Sequence, residues 1–359
     1  MIYLDHHAAT PLCPEARAAM DAAREGAWAN PASGHAAGRA AKAHLEAARR
    51  AIASSIGAEA ADVVLTSGGT EAIHAMVLGR PTPARVVTSA LEHPAMRAAV
   101  DAWAARGVPV VVLPRPDTAN ELRVGDLVAV QSVNHETGSV FDLGAVIQRA
   151  APVGAHVIVD ATQAYGRVPI DVRGVHACAL ASHKIGGPSG AGAVWLSRAT
   201  PIEPVMPGGG QERGRRGGSP GLMALVGFGG AASAIERRLG EMARVAALRD
   251  RLERAAVAAG GVVNGEGPRV ASVTNVSFRG WKGEVLVAAL DLEGLCASFG
   301  AACSSGVSEP SPVVAALHPD APWRAESCVR LSLGPETDEA DIEGAIAILE
   351  RVLQRDARR

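Results

Sequence analysis

From residue 63 to residue 159 short apolar runs alternate with helical stretches, and this alternation limits the fold more than any other feature of the chain. Val63-Val64-Leu65 leads into a helical pattern over 71–79, and Arg85–Thr88 into a helix over 94–106 that Gly107 closes. Strands follow at 108–113 and 127–133, then a helix at 142–151 and a strand at 156–159. Parallel neighbours cannot be joined by a tight hairpin and need a crossover, so this order predicts an α/β fold with a mostly parallel sheet covered by helices on both faces. Before it come helices at 14–26, where Pro14 suits a first turn, and at 36–56, which Gly57 ends. A long helix from 221 to 259 ends at Gly260-Gly261 and marks the passage to a smaller C-terminal α+β domain: strand 270–278, helix 283–291, strand 328–333, helix 338–354. The expected division is an N-terminal segment 1–13, a large domain 14–255 and a small domain 256–359.

Composition narrows the partners. With 35 Lys+Arg against 37 Asp+Glu the net charge is −2, so the chain lacks the whole-molecule basic field that would draw nucleic acid or an anionic membrane. A small-molecule partner is expected. Neither a signal-like start nor an apolar run of membrane-spanning length is present, which predicts a soluble cytoplasmic protein. The Gly/Arg stretch 207–219 has no interleaved aromatics for base stacking and is not read as a nucleic-acid loop. Five cysteines without paired spacing predict neither disulfides nor a structural metal. Cys178 and Cys328 lie in apolar strand-like runs and read as core, whereas Cys303 lies among small flexible residues. His6-His7 reads as part of a polar loop, because adjacent side chains on an irregular segment seldom converge on a metal.

The candidate chemistry sits at junctions. An apolar run delivers Lys184 into a Gly/Pro-rich turn, and a second apolar run leaves it. That local pattern suits either a Schiff-base lysine, whose amine burial or a cationic neighbour would activate, or an ordinary loop lysine reaching water. Thr66-Ser-Gly-Gly-Thr-Glu71 joins a strand to a helix and suits an anion held by backbone amides at a helix start, or a purely structural tight turn. Glu92-His93, Asn134-His-Glu-Thr-Gly138 and Asp160-Ala-Thr-Gln163 follow three of the predicted strands, the side of an open sheet where ligands bind. Asp160 could equally cap a helix.

In order and over nearly the whole chain, these segments resemble the pyridoxal-phosphate-dependent cysteine desulfurases, members of the class V aminotransferase group with the type I fold. The resemblance rests on Tyr3-Leu-Asp-His-His-Ala-Ala-Thr-Pro11, Asn30-Pro-Ala-Ser-Gly-His35, Thr66–Glu71, Glu92-His93, Val133–Gly138, Val159–Gln163, His183-Lys184, Gly208-Gly-Gly-Gln-Glu-Arg213, Gly300-Ala-Ala-Cys-Ser-Ser305 and Val329-Arg-Leu-Ser-Leu-Gly334. It implies that Lys184 carries pyridoxal 5'-phosphate and moves protons at the substrate's Cα. Asp160 would pair with the pyridine nitrogen, His93 lie against the ring and Gln163 sit near its phenolic oxygen. Gly69, Thr70, Ser182 and His183 would hold the phosphate, with Ser219 reaching the site of the neighbouring subunit in a homodimer. Arg330 would grip the substrate carboxylate, with Asn134 and His135 beside it. Cys303 would take the sulfur of L-cysteine as a persulfide, leaving L-alanine, and pass it to an acceptor protein.

The sequence also departs from the family pattern. Ala181 stands where relatives carry a phosphate-binding hydroxyl, with Ser182 next to it; His135, His6-His7 and His74 replace familiar asparagines. Related pyridoxal chemistries (selenocysteine lyase, C–S lyase, aminotransferase) and a non-catalytic partner subunit are the alternatives.

Overall fold

The computed structural model describes residues 1–198, 200, 202–300 and 309–356. The chain divides into a large unit, residues 11–132 and 141–237, and a small unit, residues 1–10, 133–140 and 238–359.

The first strand, β1 (Ile2–Tyr3), belongs to the small unit. The large unit then begins with α1 (Pro14–Ala23), which has proline in its first turn, and α2 (Ala36–Ser54). Its sheet is built in chain order from β2 (Val63–Thr66), α3 (Gly69–Leu78), β3 (Arg85–Ser89), α4 (Pro94–Ala104), β4 (Val110–Leu113), β5 (Asp126–Gln131), α5 (Leu143–Ala150), β6 (His156–Asp160), β7 (Ala177–Ala181) and β8 (Gly192–Leu196). Seven strands lie in the order β2-β8-β7-β6-β5-β3-β4. The four pairings from β4 to β7 are parallel, and β8 is antiparallel to both β7 and β2. Two reversals restore the direction, so β2 runs the same way as β7. Every residue of β2, β5, β7 and β8 is buried. A strand without apolar–polar alternation is covered on both faces, as the sequence predicts.

The long helix expected over 221–259 is three helices, α6 (Leu222–Ser233), α7 (Ile235–Gly240) and α8 (Met242–Ala258), and the border between the units falls within α7. The outer pieces meet different demands. Eight of the twelve residues of α6 are buried, so it is a core helix, whereas α8 buries only a stripe including Val245, Leu248 and Leu252 and exposes charge elsewhere.

In the small unit, β9 (Gly261–Val263), β10 (Val273–Phe278), α9 (Gly283–Leu292), β11 (Leu295–Cys296), α10 (Pro312–Leu317), α11 (Trp323–Ser327), β12 (Cys328–Ser332) and α12 (Glu339–Asp356) follow. An antiparallel sheet β12-β10-β9 and the parallel pair β1-β11 form its framework. Leu252, Leu286, Leu290, Leu331 and Ile342 are wholly buried in one apolar cluster, and each contributes about 1.5–3 kcal/mol by leaving water.

Both short outlying segments are bound to this framework. Val270 donates its amide to the Gly138 carbonyl, Val140 donates to Pro268, and Asp5 bridges to Ser332. His6 and His7 differ from the polar loop expected of them, being 3% and 0% exposed. His7 lies 3.1 Å from the Ser272 hydroxyl and His6 packs edge-on against Tyr3, so both imidazoles belong to the interior of the small unit. Among the described residues no helix is long and apolar enough to cross a membrane.

Candidate active site

Because β2, β3, β5, β6 and β7 run the same way, the segments leaving them emerge from one edge of the large unit's sheet. There the structure places Gly69 and Thr70 after β2, Glu92 and His93 after β3, Asp160 and Gln163 at and beyond the end of β6, and Ser182, His183 and Lys184 in a tight turn after β7. Gly192 makes the glycine turn possible. It pairs with both Thr66 and Ala181, and a Cβ on it would come within 2.5 Å of the Gly68 backbone. Only a residue without a side chain lets that turn fold over the strand.

The start of α3 is shaped for an anion. Gly68 precedes it and offers no capping side chain, so the first-turn amides are donors for something else. A Cβ at Gly69 would stand 3.3 Å from both the Ala181 methyl and the Thr162 hydroxyl. The hydroxyls of Thr162 and Ser182 are buried and have no hydrogen-bond partner among the described residues. His183 is held down at about 4, mainly by burial and then by the charges of Lys184, Arg167 and His93. A basic, desolvated pocket edge of this kind stabilises a negatively charged guest.

Asp160 is 6% exposed, and its Oδ1 accepts the Thr162 amide at 2.9 Å. It therefore caps a turn; the segment after it is not a helix. His93 caps α4 by accepting the Ala95 amide at Nδ1, 3.1 Å away, so a neutral ring carries its proton on Nε2. Glu92, which the sequence does not single out for a role, is 1% exposed and bonded to Ser89 at 2.6 Å. Burial pushes its carboxyl well above the ordinary range, and the nearby Asp160 charge adds to the rise.

Ser219 is exposed and lines an open cavity of about 670 Å³ with Ser67, Gln211 and Arg216. The Gly/Arg loop before it is pinned in place. Glu212 accepts from Arg49 at 2.5 and 2.8 Å and from the Leu65 amide at 2.9 Å, and Arg216 pairs with Glu71 at 2.7 Å.

In the small unit a second group forms around Arg330, which is 2% exposed. Its guanidinium donates to Asp5 at 2.9 Å and to the His135 carbonyl at 3.1 Å, while its Nε has no partner among the described residues. Asn134 is wholly buried, and its side-chain oxygen accepts from the amides of Glu136 and Thr137 and from the Thr137 hydroxyl at 2.9–3.1 Å. His135 has its Nε2 3.6 Å from Glu136, and Glu136 accepts from Ser311 at 2.5 Å. Asp5 and Glu136 lie inside the sequence motifs, but nothing local marks their partners; the signal that points to Asp5 is that a buried arginine calls for a nearby carboxylate.

Cys303 lies outside the described residues. The other four cysteines are reduced, and burial is the main reason each thiol is raised above its usual range. Cys328, beside the Glu136 carboxylate, is pushed up to about 12.

A family model described as aminotransferase class-V matches residues 2–344. A cysteine desulfurase of Cereibacter sphaeroides is 38% identical, the match covering 99% of this chain and 96% of that protein. An IscS-like cysteine desulfurase of Mycobacterium tuberculosis is 37% identical over 99% and 97% of the two chains. In fold, a solved NifS-like protein superposes with a TM-score of 0.90 at 24% identity, covering 99% of each chain.

Proposed function

Given that the chain belongs to the class-V aminotransferase family, we propose that it is a cysteine desulfurase that converts L-cysteine to L-alanine and moves the sulfur onto an enzyme cysteine. The observation that supports this most is the basic, hydroxyl-lined start of α3 beside the Lys184 turn, with a buried carboxylate at the end of β6.

These residues fit pyridoxal 5'-phosphate, the cofactor this family uses. The amides of Gly69 and Thr70, with His183 and Ser182, would hold its phosphate; Asp160 would face its ring nitrogen, His93 its ring and Gln163 its phenolic oxygen. When bound, the cofactor supplies an electron sink for chemistry at the substrate's Cα and Cβ. Lys184 would anchor it and carry the proton to and from the substrate's Cα. Asp160, buried at the end of β6, would be the carboxylate partner of the ring nitrogen. His93 has Nδ1 engaged at the start of α4, which orients its ring.

Arg330 binds the substrate carboxylate through its planar fork, with Asn134 and His135 beside it. Cys303 Sγ attacks the sulfur of the bound cysteine. An S–S bond forms and the C–S bond breaks; the thiol proton of Cys303 balances the new C–H bond at Cβ, giving alanine and a Cys303 persulfide. The thiolate is the reactive form, and the raised thiols of the four described cysteines suit them poorly to this step. An acceptor protein then takes the sulfur. The protein works in the cytoplasm as a homodimer in which Ser219 completes the neighbouring subunit's phosphate site.

Purified protein given pyridoxal phosphate tests this reading. We expect a visible absorption band that Lys184→Ala loses, together with alanine formed from cysteine. No band and no alanine would contradict it.

A further inference from the structure

We propose that Thr162 supplies the phosphate-binding hydroxyl that Ala181 lacks, so that the cofactor's phosphate is held from the turn after β6 instead of from the end of β7. This rests on the pyridoxal phosphate reading above. The Thr162 Oγ1 atom is buried and has no hydrogen-bond partner among the described residues. A buried hydroxyl in that condition is unfavourable unless a ligand completes it. Its position relative to Ala181 is the second observation. The Thr162 oxygen and the Ala181 methyl are each 3.3 Å from the point where a Cβ on Gly69 would stand, so both border the same space at the first residue of α3. One of the two groups bordering that space is a methyl and the other a hydroxyl.

Thr162 is also held in place. Its amide donates to Asp160 Oδ1 at 2.9 Å, so the turn that presents the carboxylate also fixes the backbone that carries the hydroxyl. Ser182 is the competing candidate, since its hydroxyl is equally buried and unpartnered among the described residues. That oxygen is the nearest atom to the position of a Cβ on Gly187, in the loop beyond Lys184, and is not among the three atoms nearest to the Cβ position of Gly69. Gly69 itself has no side chain to fill the space between Thr162 and Ala181.

The test is titration of cofactor-free protein with pyridoxal phosphate and, separately, with pyridoxal, which lacks the phosphate, following visible absorbance. Loss of a hydrogen bond to a charged group should weaken pyridoxal phosphate binding about tenfold or more in Thr162→Val, with pyridoxal binding unchanged. Thr162→Ser should bind as the wild type does, and adding Ala181→Ser to Thr162→Val should restore much of the loss. The proposal is overturned if Thr162→Val binds pyridoxal phosphate normally, or if it weakens both ligands equally. Failure of the wild type to take up either ligand would instead overturn the cofactor reading on which the proposal depends.

Discussion

In the large unit, Thr162 and Ser182 bury hydroxyls that no described group completes, beside a helix start that carries no capping side chain. In the small unit, Arg330 and Glu136 are also buried, yet Asp5, the His135 carbonyl and Ser311 bind them. Both regions are polar and desolvated. The difference is that one leaves hydrogen-bonding capacity for a guest and the other uses most of it to hold its own chain. Buried polar groups are ordinarily satisfied, so a region that departs from this is where a ligand is to be sought. In the second region the same physics yields a rigid mount for the residues expected to meet the substrate.

The largest effect that could break this comparison is at Lys184. Lys184→Ala should lower alanine production by about 10²–10⁴-fold or more while leaving the unfolding midpoint nearly unchanged; a large stability loss with residual activity would mean that the lysine is structural. Next is Asp5→Ala. It strands the Arg330 guanidinium, which is 2% exposed, and should cost about 3 kcal/mol in urea unfolding. A neutral result would show that Arg330 finds water or another acceptor.

Smaller effects sharpen the contrast. Ser311→Ala removes the donor to buried Glu136 and should destabilise by about 1–3 kcal/mol, whereas Thr162→Val in cofactor-free protein removes a hydroxyl that bonds to nothing described and should be close to neutral. Equal losses from the two would erase the distinction between the regions. The mildest effect is in pH. Burial holds His183 at about 4, below the ordinary histidine value of about 6.5, so the unfolded chain takes up its proton first as the pH falls. The stability from this neutral imidazole is complete above about pH 6.5 and declines toward pH 4. His183→Gln should make thermal stability less acid-sensitive across that window. Loading the cofactor, whose phosphate favours the protonated ring, should do the same.

Much of the large unit is readable from sequence because its strands are short, apolar without alternation and separated by crossover helices. The site residues at the strand ends follow from that order, since a parallel sheet brings those ends to one edge. Thr162 was not legible as a ligand. Threonine in a turn has many uses, and only its distance from Gly69 and its lack of a described partner single it out. The small unit was harder to read for a different reason. Its cluster joins residues 5, 135 and 330, and contacts between such distant parts of the chain leave no local pattern. The breaks of the long helix follow Ser233 and Gly240, weak helix formers that are easy to pass over as single positions among alanine, leucine and arginine.

The most direct test of desulfuration is to incubate the pyridoxal-phosphate-loaded protein with L-cysteine, measure alanine, and locate any persulfide by mass spectrometry, in the wild type and in Cys303→Ala. Alanine should form in step with a persulfide on Cys303, and both should be lost in the variant. Persulfide on Cys296 or Cys328, or undiminished alanine from Cys303→Ala, would contradict the account.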